Sequence, residues 1–153
     1  MFGKVLTAVL LISCVACAKP RWAQTPLATP PDAQKPEPGQ TASCELKFKS
    51  GLCLDWAWEK QPVDSEFGSL VFKTYTLENG EAIPQDLSGT AALVLWMPSM
   101  GHGSSPTTVT RIDAGTYRAT RVYFVMPGAW DLHFQNKDGA KVIDEAVDSL
   151  ILE

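Results

Sequence analysis

The sequence predicts an all-β domain, an immunoglobulin-like antiparallel β-sandwich of about seven strands that follows a disordered N-terminal stalk. Short runs of alternating apolar and polar residues recur along residues 44–153, and turns rich in Gly, Asn or Pro separate them at regular intervals. The chain has 153 residues, of which 45% are hydrophobic and 20% charged, which is typical of a single globular domain.

The strands are predicted in chain order from these runs. Cys44–Lys49 and Leu52–Trp58 flank a Ser-Gly turn, and Leu70–Leu77 ends before Asn79-Gly80, a strong hairpin signal. Thr90–Met97 is almost wholly apolar, which is expected for a strand buried on both faces. The remaining alternating runs are Thr107–Ile112, Tyr117–Val125 and Trp130–Phe134.

The C-terminal run is ambiguous, because its apolar residues are spaced more like a helical stripe than like a strand. They are Val142, Ile143, Ala146, Val147, Leu150 and Ile151. A sandwich needs an edge partner at this point, so we expect a strand that carries a bulge.

Residues 1–13 have the pattern of a secretory signal peptide, with a basic start, an apolar core and a small residue at the end. Leu11-Ile12-Ser13-Cys14 resembles the lipobox of bacterial lipoproteins, in which the Cys becomes the acylated first residue. Cys17 is the rival site, although Cys14 would then stand where an aliphatic residue is usual. Acylation would hold the chain at a membrane face, whereas a spanning helix needs roughly 18 apolar residues and no run is that long.

This leader predicts a protein of the bacterial cell envelope that faces the periplasm, an oxidising compartment. Val15 follows Cys14, and resemblance to the enterobacterial sorting rule then favours the outer membrane over the inner one. Residues 14–43 are predicted to be the acylated Cys and a Pro-rich linker. Six of the eleven prolines lie between Ala18 and Ser43, so this segment cannot bury enough apolar surface to fold and would reach roughly 80 Å.

Charge and motifs exclude several function classes. The net charge is −4, from 17 acidic and 13 basic residues, which argues against a nucleic-acid partner. The sequence has no Gly-rich phosphate loop, nucleophile elbow or HExxH motif, and only two histidines. We therefore predict that the protein is not an enzyme.

Methionine and histidine are concentrated in one short stretch, Met97-Pro98-Ser99-Met100-Gly101-His102. Core methionines usually fill gaps inside regular elements, whereas these residues lie at a strand end and in a loop. Met126 ends another predicted strand, and the antiparallel topology allows it to lie beside that loop. Thioether and imidazole donors suit Cu(I) and not hard cations. We predict a copper site of Met100, His102 and Met126, with Met97 as a fourth ligand, a shield or a packing residue, and Cu(I) rather than Cu(II) as the ion.

Three sequence blocks resemble the YtkA-like and FixH-like domain families, in which an MPxMGHG loop precedes a GxY block and an MPGxW turn. Here the blocks are Met97–Gly103, Gly115–Tyr117 and Met126–Trp130, and the resemblance covers roughly residues 67–153. It implies a small extracytoplasmic immunoglobulin-like domain with a copper-handling role, and FixH-like proteins are linked to assembly of copper-containing respiratory oxidases. A lipobox and stalk in place of a transmembrane helix favour a free-standing carrier or buffer. Its partner would be a copper-accepting protein such as an oxidase or an efflux component.

Cys44 and Cys53 flank the first predicted hairpin. In an oxidising compartment a disulfide between them is the default expectation. The alternative is a reduced thiol pair that binds Cu(I) and is shielded by Trp56 and Trp58.

The Met-rich loop and several residues near it also have interpretations that need no copper. Trp130 and Tyr117 are expected to be core aromatics, and His133, which alternates with core positions, is expected to face solvent or the edge of the site. Because exposed methionines make adaptable contacts, the loop also suits a metal-free adhesion or assembly module that uses it as a protein-docking surface.

Overall fold

The computed structural model describes residues 42–63 and 66–153, and all regular structure within them is β. The signal peptide, Cys14, Cys17 and nearly all of the linker lie outside the described residues. Ten strands are present in the described part of the chain: β1 Leu46–Lys47, β2 Cys53–Lys60, β3 Gly68–Glu78, β4 Glu81–Pro84, β5 Thr90–Met97, β6 His102–Gly103, β7 Thr108–Asp113, β8 Thr116–Val122, β9 Gly128–Asp138 and β10 Lys141–Leu152.

The strands form two antiparallel sheets that pack face to face. One sheet has the order β1-β2-β3-β8-β7, with β4 also paired with β3, and the other has the order β10-β9-β5-β6. The predicted all-β antiparallel sandwich is thus confirmed, with ten strands instead of about seven.

The additional strands are short, which is why the sequence pattern does not reveal them. β3 is long enough to pair with β8 along Gly68–Lys73 and with β4 along Tyr75–Glu78. The turn between β3 and β4 has positive φ at Asn79 (53°) and Gly80 (83°), the conformation that an Asn-Gly hairpin turn requires.

The core lies between the inner faces of the sheets. Trp130, Leu132 and Phe134 of β9 are fully buried there, opposite Phe72 of β3 and Tyr117 of β8, whose rings stack with centroids 5.0 Å apart. Trp130 and Tyr117 are therefore core aromatics, as expected from the sequence.

The expectation that β5 is buried on both faces is wrong. Leu93, Leu95 and Met97 point into the core, but Val94 and Trp96 are 40% and 38% exposed. The four-stranded sheet presents its other face to solvent. Burial therefore alternates along β5, although apolar and polar residues hardly alternate in its sequence.

β10 is a strand, in agreement with the prediction. It pairs with β9 at eleven positions, and the register shifts between Val142 and Asp144. Ala146 faces the core while Val147 and Ile151 are exposed on the outer face. Apolar residues on both faces, together with the bulge, account for the helix-like spacing in the sequence.

The described chain enters the sandwich beside the β3–β4 turn, and we call this region the entry end (residues 42–44, Cys53, Tyr75 and Asn79-Gly80). The Ala42 N–H donates to the Gly80 carbonyl at 3.2 Å, and the Tyr75 hydroxyl donates to the Ser43 carbonyl at 2.6 Å. Burial, with the nearby Asp55 carboxylate, raises the pKa of Tyr75 to about 12, so this hydroxyl stays protonated. Cys44 and Cys53 are joined by a disulfide, with an S–S distance of 2.03 Å.

Within residues 42–63 and 66–153, no helix has the length and hydrophobicity that are needed to cross a bilayer.

Candidate functional site

Two loops meet at the other end of the sandwich, which we call the loop end (Met97–Gly103 and Val125–Gly128). After β5 the chain turns sharply, because the N–H groups of Met100 and Gly101 both donate to the Met97 carbonyl, at 3.2 and 3.0 Å. Gly101 has a φ of +65°, a conformation that glycine adopts without strain. The turn makes Met97 and His102 direct cross-strand partners in β5 and β6.

Two contacts, from Ser104 and Met97, tie the first loop to the second, and a third, from Trp130, holds the second loop itself. The Ser104 hydroxyl donates to the Tyr123 carbonyl, and the indole N–H of Trp130 donates to the Met126 carbonyl at 3.1 Å. The Met97 methyl fills the space beside Gly128, where an added Cβ would lie only 2.9 Å from Met97 Cε. The structure therefore brings the 97–103 loop and the Met126 turn to the same end of the domain.

The three methionines differ sharply in exposure. Met97 is 2% exposed and belongs to the core, whereas Met100 is 59% and Met126 is 38% exposed. Strand alternation explains Met97, which follows Leu93 and Leu95 on the inner face of β5. This burial favours the packing and shielding role for Met97 over that of a surface ligand.

His102 lies half-buried between the two loops. Its ring packs edge-on against Trp130, with centroids 6.2 Å apart and planes at 71°. Its Nδ1 lies 3.2 Å from the Gly103 carbonyl. When Nδ1–H donates to that carbonyl, the imidazole is the tautomer that keeps the Nε2 lone pair for a ligand.

His133 lies elsewhere, on the outer face of the four-stranded sheet. Its Nδ1 is 3.0 Å from a Glu145 carboxylate oxygen, and its Nε2 is buried with no hydrogen-bond partner among the described residues. Burial raises the pKa of Glu145, but the hydrogen bonds from Gln135 and His133 outweigh it, and the net pKa is lowered. This histidine belongs to a structural pair on β9 and β10 and is not placed with the methionines.

The donor set at the loop end is soft and uncharged. Trp130 lies beneath His102, and Phe124 packs against Trp130 at a centroid distance of 5.3 Å, so aromatic rings form the floor of the site. In the described ranges no group of three or more His, Cys, Asp or Glu side chains is placed to hold a metal ion. Thioethers are outside that class of donors, so a site that uses Met100, His102 and Met126 suits a soft monovalent ion.

A groove of about 310 Å³ runs between β5 and the segment that follows β6. Its lining residues are Ala91, Ala92, Leu93, Val94, Leu95, Ser104, Ser105, Pro106, Thr107 and Val109. This set contains no ionisable side chain and none of the four candidate ligand residues, so the groove offers no acid–base chemistry and is separate from the candidate site.

Sequence reasoning missed the residues that hold the loop end together. The close approach of Met97 forbids a side chain at Gly128, and no sequence pattern indicates that contact. The Ser104 hydroxyl connects the two loop regions and the Trp130 indole N–H holds the Met126 turn. Both bonds end on backbone carbonyls, which every residue carries, so no sequence pattern indicates them.

No protein-family model, curated protein or solved structure matches this chain. Membership of the YtkA-like or FixH-like families therefore stays a prediction from three sequence blocks.

Proposed function

We propose that this protein is an envelope lipoprotein whose sandwich domain binds one Cu(I) ion as cargo and buffers it or passes it to a partner protein. Met100, His102 and Met126 would be the ligands. The observation that carries the proposal is that two solvent-exposed thioethers and one imidazole belong to two loops at one end of the domain, which the contacts of Ser104 with Tyr123 and of Met97 with Gly128 hold together.

Each residue of the loop end has a role in this proposal. Met100 and Met126 supply soft neutral sulfur donors, and His102 supplies Nε2 while its Nδ1 is held by the Gly103 carbonyl. Trp130 keeps water from the inner side of the imidazole and positions the Met126 turn. Met97 shields the site from the core side.

The position of the loop end supports delivery to a partner. The described chain enters the sandwich beside Gly80, which lies just after the end of β3. The start of β3 lies at the other end, where Gly68 pairs with Val122. Residues 123–127 connect Val122 to Gly128 at the loop end. The eleven residues of β3 separate the two ends by roughly 35 Å at about 3.3 Å per residue. A lipid anchor at Cys14 and a linker to residue 43 would thus present the loop end away from the outer membrane, toward a copper-accepting protein such as an oxidase or an efflux component.

A Cu(I) competition titration of the full chain against a chromogenic chelator, without oxygen, tests the proposal. We expect one ion per chain, bound with sub-picomolar affinity. The double variant Met100→Leu/His102→Gln should lose this binding, because both substitutions remove a donor atom. The melting temperature of the metal-free protein should hardly change, since neither side chain is buried in the core.

Two control variants separate ligands from neighbours. Met97→Leu conserves volume in the core, and His133→Gln removes the other histidine, so both should keep the Cu(I) affinity of the parent chain. Micromolar binding by the parent chain, or unchanged affinity in the double variant, would contradict the site.

A second function is favoured by the apolar surface around the loops. Phe67 and Val125, 47% and 44% exposed, flank Tyr123 and Met126 at the loop end. Such a surface suits a metal-free adhesion or assembly module that docks a protein there. A parent chain that is purified without copper from copper-supplemented cells, and that recovers a partner which the variant Phe67→Ser loses, would favour this function.

A further inference from the structure

We propose that Met100 and Met126 form a peroxide-sensitive modification site whose oxidation switches off metal binding at the loop end. The oxidation depends only on the fold, whereas its effect on metal binding rests on the proposed function.

The fold separates the three methionines of the domain into two classes. Met100 lies in the turn after β5 with 59% of its surface exposed, and Met126 lies before β9 with 38% exposed. Met97 is 2% exposed, with its methyl group against Gly128. An oxidant dissolved in water therefore reaches the two exposed methionine side chains and is kept from the third.

The reaction is complete with hydrogen peroxide as oxidant. A sulfur lone pair attacks one peroxide oxygen, and an S–O bond forms as the O–O bond breaks. The departing hydroxide takes the proton from the oxygen that is now bound to sulfur and leaves as water. The sulfur is oxidised by two electrons and the peroxide is reduced by two. The product is methionine sulfoxide, which methionine sulfoxide reductases convert back to the thioether.

Oxidation of the exposed pair would change the site without damaging the fold. A sulfoxide is polar and presents a hard oxygen, so Met100 and Met126 would lose the soft donors that a Cu(I) site needs. Both side chains are in contact with water, which solvates the new S–O group. The same change at Met97 would put an unpartnered polar oxygen into the core, where it would destabilise the sandwich.

Metal binding and oxidation would compete for the same lone pairs. A bound soft ion occupies the lone pair that must attack the peroxide, so it should protect Met100 and Met126. Silver(I) is the appropriate probe, because it prefers the same soft donors and does not cycle between oxidation states with peroxide as copper does.

The experiment treats the full chain with hydrogen peroxide, without and with silver(I), and follows the oxygen added to each methionine-containing peptide by mass spectrometry. Without silver we expect Met100 to be oxidised fastest, Met126 next, and Met97 about tenfold or more slowly than either. Silver should slow Met100 and Met126 about tenfold and leave Met97 unchanged. The oxidised protein should keep its melting temperature and lose its silver affinity.

Two controls show whether the folded structure determines the order of the three oxidation rates. In concentrated urea the three rates should converge, because all three methionines are then exposed. The variant Met97→Leu should leave the rates at Met100 and Met126 unaltered. Oxidation of Met97 as fast as the others in the native chain would overturn the inference, and so would an oxidised chain that binds silver as tightly as the untreated one. A native chain that keeps the ranking but binds neither silver nor Cu(I) would refute the proposed function, and with it the switch, while the oxidation site would stand.

Discussion

The two ends of the sandwich are held by different interactions. At the entry end a disulfide joins Cys44 to Cys53, and the Tyr75 hydroxyl and the Ala42 N–H bind backbone carbonyls. At the loop end the two loops are joined by Ser104 and by the packing of Met97 against Gly128, while the side chains of Met100 and Met126 are exposed.

This difference separates an end that stabilises the fold from an end whose side chains are proposed to exchange a metal ion. Side-chain atoms at the entry end are engaged in intramolecular bonds, so that end fixes where the chain joins the domain. At the loop end the bonds that shape the loops use Ser104, Trp130 and backbone groups, which leaves the thioethers and His102 Nε2 for a ligand. The fold can thus hold the loops rigidly without using the atoms proposed to bind metal.

The first test of this comparison removes the disulfide at the entry end, where a large loss of stability is expected. Cys44→Ser/Cys53→Ser should lower the free energy of unfolding by about 2–3 kcal/mol, because the closed loop no longer restricts the unfolded chain. Urea denaturation measures this loss. The Cu(I) affinity should remain that of the parent chain, since the two ends lie on opposite sides of the domain. Loss of Cu(I) binding in this variant would instead favour the cysteine pair as the metal site.

A comparable effect is expected at the contact between the loops. Gly128→Ala places a methyl group 2.9 Å from Met97 Cε at a φ of +134°, so Met97 must move and the backbone is strained. We expect a loss of about 2–3 kcal/mol and a lower Cu(I) affinity, because the Met126 turn is displaced. Gly139→Ala is the matched control, with a φ of +57° and open space around the new methyl, and should cost about 1 kcal/mol. Equal losses of stability in the two variants would show that the contact between Met97 and Gly128 does not contribute to the free energy of unfolding.

The smallest effect concerns a carboxylate on the same side of the domain as the β3–β4 turn. Asp86 accepts hydrogen bonds from the Arg111 guanidinium and the Gly115 N–H, and these hold the pKa of Asp86 below its usual range. A lowered pKa in the folded state stabilises the protein above the ordinary Asp range, and that contribution is lost as the pH falls through the folded-state pKa. Because both side chains are largely exposed, the effect should be modest and screened by salt.

Asp86→Asn should therefore lower the urea midpoint at neutral pH and reduce the difference between that midpoint and the one near pH 3. The control is Asp138→Asn at the exposed end of β9, which should leave the urea midpoint and its pH dependence as they are in the parent chain. If the urea midpoint of Asp86→Asn varied with pH as much as that of the parent chain, the stabilising effect assigned to the lowered pKa of Asp86 would be contradicted.

Much of the fold could be predicted from local patterns. The limits of β5 at Thr90 and Met97 agree with the predicted ones, and the Asn79-Gly80 turn lies where its dipeptide indicates. These features depend on side-chain alternation and on backbone conformations that few residues adopt, which are local properties. β4 and β6 could not be predicted, because strands of four and two residues exist only through pairing with β3 and β5.

The sequence alone determined which donor types are concentrated at the ends of two strands, and that those strands belong to an antiparallel sandwich. Only the tertiary structure decided that Met97 is buried while Met100, three residues later, is exposed. The physical reason is that burial depends on which face of β5 meets the opposite sheet and on the room beside Gly128, and both depend on residues far along the chain.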